Sequence, residues 1–168
     1  MELSPLQLVN FRFLKVFIEP ATPPEIAEPH PRTEGAYDFA GVQFQLELGH
    51  GHVDPLTPDI NGVGEAVEIQ PYVLTMGIRL LGTEGKVAPY RIDVKCVGYF
   101  NVVTKAFPDE ARRQDVVVVN GASMLYGTIR EMVSNVTARS WHGELLLPSM
   151  HFGSDAPNKV GTPNKVGQ

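Results

Sequence analysis

The stretch from Lys86 to Phe152 constrains the fold most, because its hydrophobic period changes partway along. Tyr90, Ile92, Val94 and Cys96 share one parity, and Arg91, Asp93 and Lys95 the other. A period of two belongs to a strand with one buried face. Further on, Val118, Ala122, Leu125, Ile129, Met132 and Val136 step by four, three, four, three and four. That spacing is a helical seam. The closing GELLLPSMHF is apolar and extended, broken at Pro148. Strand, seamed helix and apolar end form a unit that needs a large surface to bury its faces.

Three more strands precede it. Leu6 to Glu19 is rich in Leu, Val and Phe, but its alternation slips. Val9, Phe11 and Phe13 share one parity and Leu14, Val16 and Ile18 the other, which predicts a bulge. Five prolines between Pro20 and Pro31 then predict a long, stiff crossing loop. Tyr37 to Val53 reads as the second strand, with Val42, Phe44, Leu46 and Leu48 on its apolar face. Turn chemistry fills 54–65, DPLTPDINGVGE. Val67 to Leu81 is the third strand, facing inward with Tyr72, Leu74, Met76, Ile78 and Leu80 and shifting phase at Pro71. GTEG at 82–85 makes a hairpin into the fourth. Four strands with no helix between them predict an antiparallel meander with a crossing first strand. Pro108, Asp109 and Glu110 open a helix that should run to about Val119. Asn120-Gly121 should break it, and a second helix should run from about Ala122 to Ala138. The expected class is therefore α+β: a four-stranded antiparallel sheet followed by two C-terminal helices, in one domain spanning 1–152. Residues 153–168 contain PNKVG twice, at 157–161 and 163–167, in a polar, Pro/Gly-rich setting that predicts a disordered tail.

Composition narrows the function. A net charge of -5 and a pI near 5.5 give no reason to expect nucleic-acid or phosphate binding. No apolar run approaches the roughly 18 residues of a membrane span. MELSPLQLVNFRF lacks the basic region of a secretory signal, and the single Cys96 suits a reducing cytoplasm. His50-Gly51-His52 is the one close histidine pair, with no cysteine or carboxylate cluster to complete a metal site. Gly62-Val63-Gly64 follows a turn, not a strand, so it is no dinucleotide fingerprint. Ser123 and Ser140 have no evident base partner. The expectation is a protein without enzymatic activity, metal or other cofactor. Apolar surface, by contrast, is in excess. Val73, Val97, Tyr99, Phe11 and Phe13 add an apolar character to the opposite sheet face, and Trp141, Leu146, Met150 and Phe152 enrich the end. Such a surplus closes an oligomer, or stays open for flexible apolar ligands.

The ordered combination resembles the SecB family of export chaperones. The carrying segments are YRIDVKCVGYF at 90–100, NGASMLYGTIREMVSNVTARS at 120–140 and LLLPSMHF at 145–152. The resemblance implies an ATP-independent holdase for unfolded or precursor polypeptides, assembled as a homotetramer, a dimer of dimers. It would put Tyr90, Ile92, Val94 and Cys96 at a strand-edge dimer contact, and Ala122, Leu125, Ile129, Met132 and Val136 between dimers. Clients would lie in grooves lined by Phe39, Phe44, Tyr72, Leu74, Met76, Trp141, Leu145, Leu147 and Met150. Acidic residues at Glu19 and Asp93 would face the translocase ATPase SecA. Lys15 and Arg91 depart from that pattern, as does the lysine-bearing tail. These departures point to a second SecB-like role, the dedicated chaperone of an antitoxin in a toxin–antitoxin–chaperone system. A closed structural or adaptor oligomer without client binding is the reading from another class.

Overall fold

A computed structural model describes residues 3–22, 37–53, 68–80 and 87–158. Most of the proline-rich loop, the turn at 54–65, the hairpin at 82–85 and the last ten residues lie outside that set. Four strands, β1 (Leu6–Pro20), β2 (Gln45–His52), β3 (Ile69–Leu80) and β4 (Tyr90–Val103), form one antiparallel sheet in the order β1-β4-β3-β2. β2, β3 and β4 are the expected meander. The first strand crosses to the far side and pairs with β4, Leu6 opposite Val102 and Pro20 opposite Tyr90.

β1 has two register shifts, between Leu8 and Asn10 and between Phe13 and Lys15. Each bulge swaps the faces, so Phe11 and Phe13 come opposite Gly98 and Cys96, and Val16 and Ile18 opposite Val94 and Ile92. Phe11 and Phe13 therefore belong to the core-side face, not the outer one. β2 starts at Gln45, later than expected; the chain before it turns at Gly41, whose φ of 80° favours glycine. β3 keeps an unbroken register through Pro71. Pro71 sits one residue past the last β2 pair, His52 with Tyr72, so its missing N–H interrupts no ladder there.

After β4 comes one helix, not two. Asp109 caps it, its carboxylate accepting from the Arg112 N–H at 3.1 Å, and Pro108 stands just outside. The α-helical segment Glu110–Val116 passes through a π turn, Val117–Gly121, directly into a second α-helical segment, Ala122–Thr137. Backbone angles stay right-handed helical at Val116, Val117, Gly121 and Ala122. Asn120-Gly121 looked like a break because both residues are poor helix formers in isolation. The structure uses Gly121 for close approach: a Cβ there would come 3.1 Å from Leu74 and 3.2 Å from Phe100. The π turn takes up an extra residue. Val117 and Val118 are buried ahead of it, and Ala122, Leu125, Tyr126, Ile129, Val133 and Thr137 after it.

The core lies between this helix and one face of the sheet. Leu74, Met76, Ile78, Ile92, Val94, Cys96 and Val102 are fully buried there. Beyond Thr137 the chain reverses at Gly143, with φ of 79°. The Tyr90 hydroxyl donates to the Gly143 carbonyl at 2.7 Å and accepts from the His142 N–H at 3.1 Å. The ring of buried His142 reaches the Ala21 carbonyl at 2.8 Å, fastening the helix exit to the ends of β1 and β4. Among the described residues no helix is long and apolar enough to cross a membrane.

Two glycine substitutions test this packing. A Cβ at Gly98 would meet Leu125 at 2.7 Å and Phe100 at 2.9 Å, whereas one at Gly127 meets nothing within 4 Å. Gly98→Ala is expected to lower unfolding free energy in urea by about 1–3 kcal/mol. Gly127→Ala, in an exposed helical turn, should raise it by about 0.5–1 kcal/mol.

Candidate polypeptide-binding surface

The closing segment runs back along the helix and is held by side-chain bonds, not strand pairing. Leu145 N–H donates to Thr137 Oγ1 at 2.8 Å, and Arg130 Nε donates to the Leu147 carbonyl at 2.7 Å. The Tyr126 hydroxyl donates to the Pro148 carbonyl, and Ser134 meets Glu144. Burial pushes the Tyr126 phenol up to about 12, against the pull of Arg130, so it stays a donor across the ordinary pH range. In this tethered segment Leu145, Leu147 and Phe152 turn into the core, while Leu146 and Met150 are exposed, as is Trp141 at the preceding turn.

The most exposed apolar element is β1. Only Leu6 of its fifteen residues is buried, and Val9, Phe13, Leu14, Val16 and Phe17 are all exposed. One of its edges pairs with β4; the other has no strand beside it among the described residues. Unpaired edges and exposed apolar side chains together are what natural sheets ordinarily protect.

The outer sheet face is ionic at the β4 N-terminal end. Lys15 and Arg79 (3.4 Å) both reach Asp93, Arg79 also reaches Glu47 at 3.1 Å, and Arg91 pairs with Glu19. Lys15, through hydrogen bond and charge, and then Arg79 hold the Asp93 carboxyl below its usual 3.8, although burial pushes the other way. The Cys96 thiol is raised to about 11 by burial and stays protonated.

The sequence-predicted residues divide sharply by placement. Tyr72, Leu74, Met76, Leu145 and Leu147 are 0–3 % exposed and form the chain's own core, so they cannot line an open groove. Phe39 and Phe44 are half-buried at the core margin, and Trp141 and Met150 are exposed. Tyr90, Ile92, Val94, Cys96, Ala122, Leu125 and Ile129 are likewise core residues, at most 1 % exposed. β4 also has no free edge, since β1 and β3 occupy both. Met132 is half-buried and Val136 exposed. Periodicity identified which residues are buried but not what buries them. Val9, Leu14, Val16, Phe17 and Leu146 were missed; the signal was the phase slip in β1, which occurs twice and leaves Val9 and Leu14 at the bulges. His52 serves in packing: its ring lies 4.8 Å from Tyr72 and its Nε2 is 2.9 Å from Gln114 and 3.6 Å from Glu110, docking the helix start on β2. Among the described residues no three His, Cys, Asp or Glu side chains are grouped to hold a metal ion.

No protein-family model and no curated protein matches this sequence. Solved structures do. A SecB-like chaperone of Mycobacterium tuberculosis, Rv1957, solved in complex with a ChAD peptide from the Rv1956 HigA1 antitoxin, is 18% identical; the match covers 86% of this chain and 90% of that one, with a TM-score of 0.47. A protein of unknown function from Streptococcus agalactiae is 10% identical over 86% of this chain and 97% of that one, with a TM-score of 0.53. At such identities the likeness is one of fold alone.

The ion pairs on the outer face generate a pH prediction. Because Asp93 titrates lower in the native state, its stabilising contribution is full above 3.8 and is lost as pH falls through the lowered native value. Unfolding free energies measured between pH 7 and pH 2 should therefore drop more steeply below about pH 4 in the parent chain than in Asp93→Asn. At pH 7 the variant should be the less stable of the two.

Proposed function

We propose that the protein is an ATP-independent holdase that binds unfolded or non-native polypeptide on apolar surface its own fold leaves uncovered, and that it is not an enzyme. The observation that carries this reading is β1, a fifteen-residue edge strand with a single buried residue and five exposed large hydrophobic ones. Apolar burial is non-directional, so such a surface accepts many sequences, and several weak sites along one flexible client add up to firm binding. The β1 edge, with no strand beside it among the described residues, also offers main-chain hydrogen bonds to an extended segment. Trp141, Leu146 and Met150 supply a second set of exposed contacts, and the resemblance of 90–100, 120–140 and 145–152 to SecB chaperones points the same way. Association into a homotetramer in the cytoplasm belongs to this reading, with copies covering part of the surplus and clients taking the rest.

A dedicated client, such as an antitoxin, is favoured over SecA by the outer-face ion pairs. Glu19 and Asp93, the residues that would attract a basic partner, are each neutralised within the sheet, by Arg91 and by Lys15 with Arg79. Paired anions give little long-range attraction.

The test is suppression of aggregation of an unfolded, reduced client without ATP, with native mass read on the same sample. Suppression near one assembly per client is expected. Leu14→Lys and Trp141→Ala, both on highly exposed positions, should weaken it about tenfold without moving the unfolding midpoint. A well-defined oligomer that protects no client, an antitoxin included, would leave the closed structural assembly as the reading.

A further inference from the structure

The pentapeptide Pro-Asn-Lys-Val-Gly occurs at 157–161 and again at 163–167. The asparagine of the first copy is tied to a single helical turn. Asn158 donates its main-chain N–H to Asp115 Oδ1 at 2.9 Å. Its side-chain Nδ2 donates to the Ala111 carbonyl at 2.9 Å, to Asp115 Oδ1 at 3.2 Å and to Gln114 Oε1 at 3.3 Å. Every contact is a donation from the asparagine to an acceptor on the helix. An aspartate there would turn a carboxylate towards Asp115, and an alanine would keep only the main-chain bond. The arrangement therefore reads an asparagine by the two donors it presents close together. Asn164, in the same Pro-Asn-Lys-Val-Gly setting, carries the same donors.

We infer that the turn Ala111–Asp115 is a recognition site for the Pro-Asn repeat, and that the second copy, through Asn164, is an alternative occupant of it in the same chain. Phe152, buried in the core, anchors the tail upstream. The tether to the dock is then six residues long with Asn158 bound and twelve with Asn164 bound. Doubling a loop costs about a threefold loss in population, and the second register also gives up the burial of Ala156, so in this proposal the first register leads and the second is the minor one. Occupation by Asn164 adds six residues of slack after Phe152 and releases the 3-10 turn Gly153–Asp155 and the buried Ala156. The repeat thus gives the end of the chain two tether lengths on one site. This inference does not rest on the holdase reading.

The experiment uses the full chain labelled with ¹⁵N, following the side-chain amide of Gln114 and the backbone amide of Asp115 by NMR. Asn158→Ala, Asn164→Ala, the double variant and Asp115→Ala are compared, with the last defining the undocked signal of the Gln114 side chain only. Asn158→Ala is expected to leave the signals at or part-way to their docked positions, reading out the share held by Asn164. Asn164→Ala should leave them docked, and the double variant should move them to the undocked positions. The proposal is overturned if Asn158→Ala alone reaches the double variant's positions, because the second repeat then does not dock. It is equally overturned if the double variant moves nothing, because the turn is then no recognition site. An unchanged unfolding midpoint in each variant shows that the fold is intact.

Discussion

A single helix cannot cover a four-stranded sheet. A helix with its side chains is about 10 Å across, while four strands about 4.8 Å apart present a face half as wide again. The helix has to choose, and the close packing of Leu125 on Gly98 and of Phe100 and Leu74 on Gly121 seats it over β3 and β4. Those two strands accordingly bury their inner faces from Tyr72 to Leu80 and from Tyr90 to Val102. β2 is left half-buried, with Leu46 and Leu48 at the margin, and β1 is left almost bare. The surplus of apolar surface evident in the composition is therefore concentrated on an edge strand and along the closing segment.

The two sheet faces follow different rules as a result. The inner face is a continuous apolar core, and the outer face towards the β4 N-terminus is a ladder of pairs linking Glu19, Arg91, Lys15, Asp93, Arg79 and Glu47. The exposed pairs, Arg91 with Glu19 and Arg79 with Glu47, contribute little to stability, whereas Asp93 is buried and its pairing with Lys15 and Arg79 counts for more. The acidic residues that the SecB resemblance would set against a basic partner are thus paired within the sheet. What remains distinctive is β1, where Phe17 on the outer side and Val16 on the inner side are both exposed.

Much of this was legible in the sequence, and the misses share one cause. The alternation at 90–96 and the seam from Val118 to Ile129 did mark the buried faces, because periodicity records which side of an element avoids water. It does not record the partner. The same residues read as interfaces between copies turned out to be buried by elements of their own chain, and Leu145 and Leu147 meet the helix, not a client. Asn120-Gly121 misled because local propensity marks it as a stop, while Gly121 is needed for contact with Leu74 and Phe100 and a π turn absorbs the extra residue. The β1 slip was seen as one bulge; only pairing with β4 resolves two.

The crossing of β1 has a consequence for the order in which the protein can assemble during synthesis. Pro20 pairs with Tyr90 and Leu6 with Val102, so the amino-terminal strand has no partner until β4 begins and is not fully paired until Val102 has been made. Until then its Leu, Val and Phe side chains are an unattached apolar segment, and β3 has its inner face bare until the helix follows. Long sequence separations of this kind slow folding and prolong the exposure of sticky chain. While it is being made, the chain thus passes through a non-native condition with its first strand uncovered, and that strand keeps most of its exposure even after β4 has joined it.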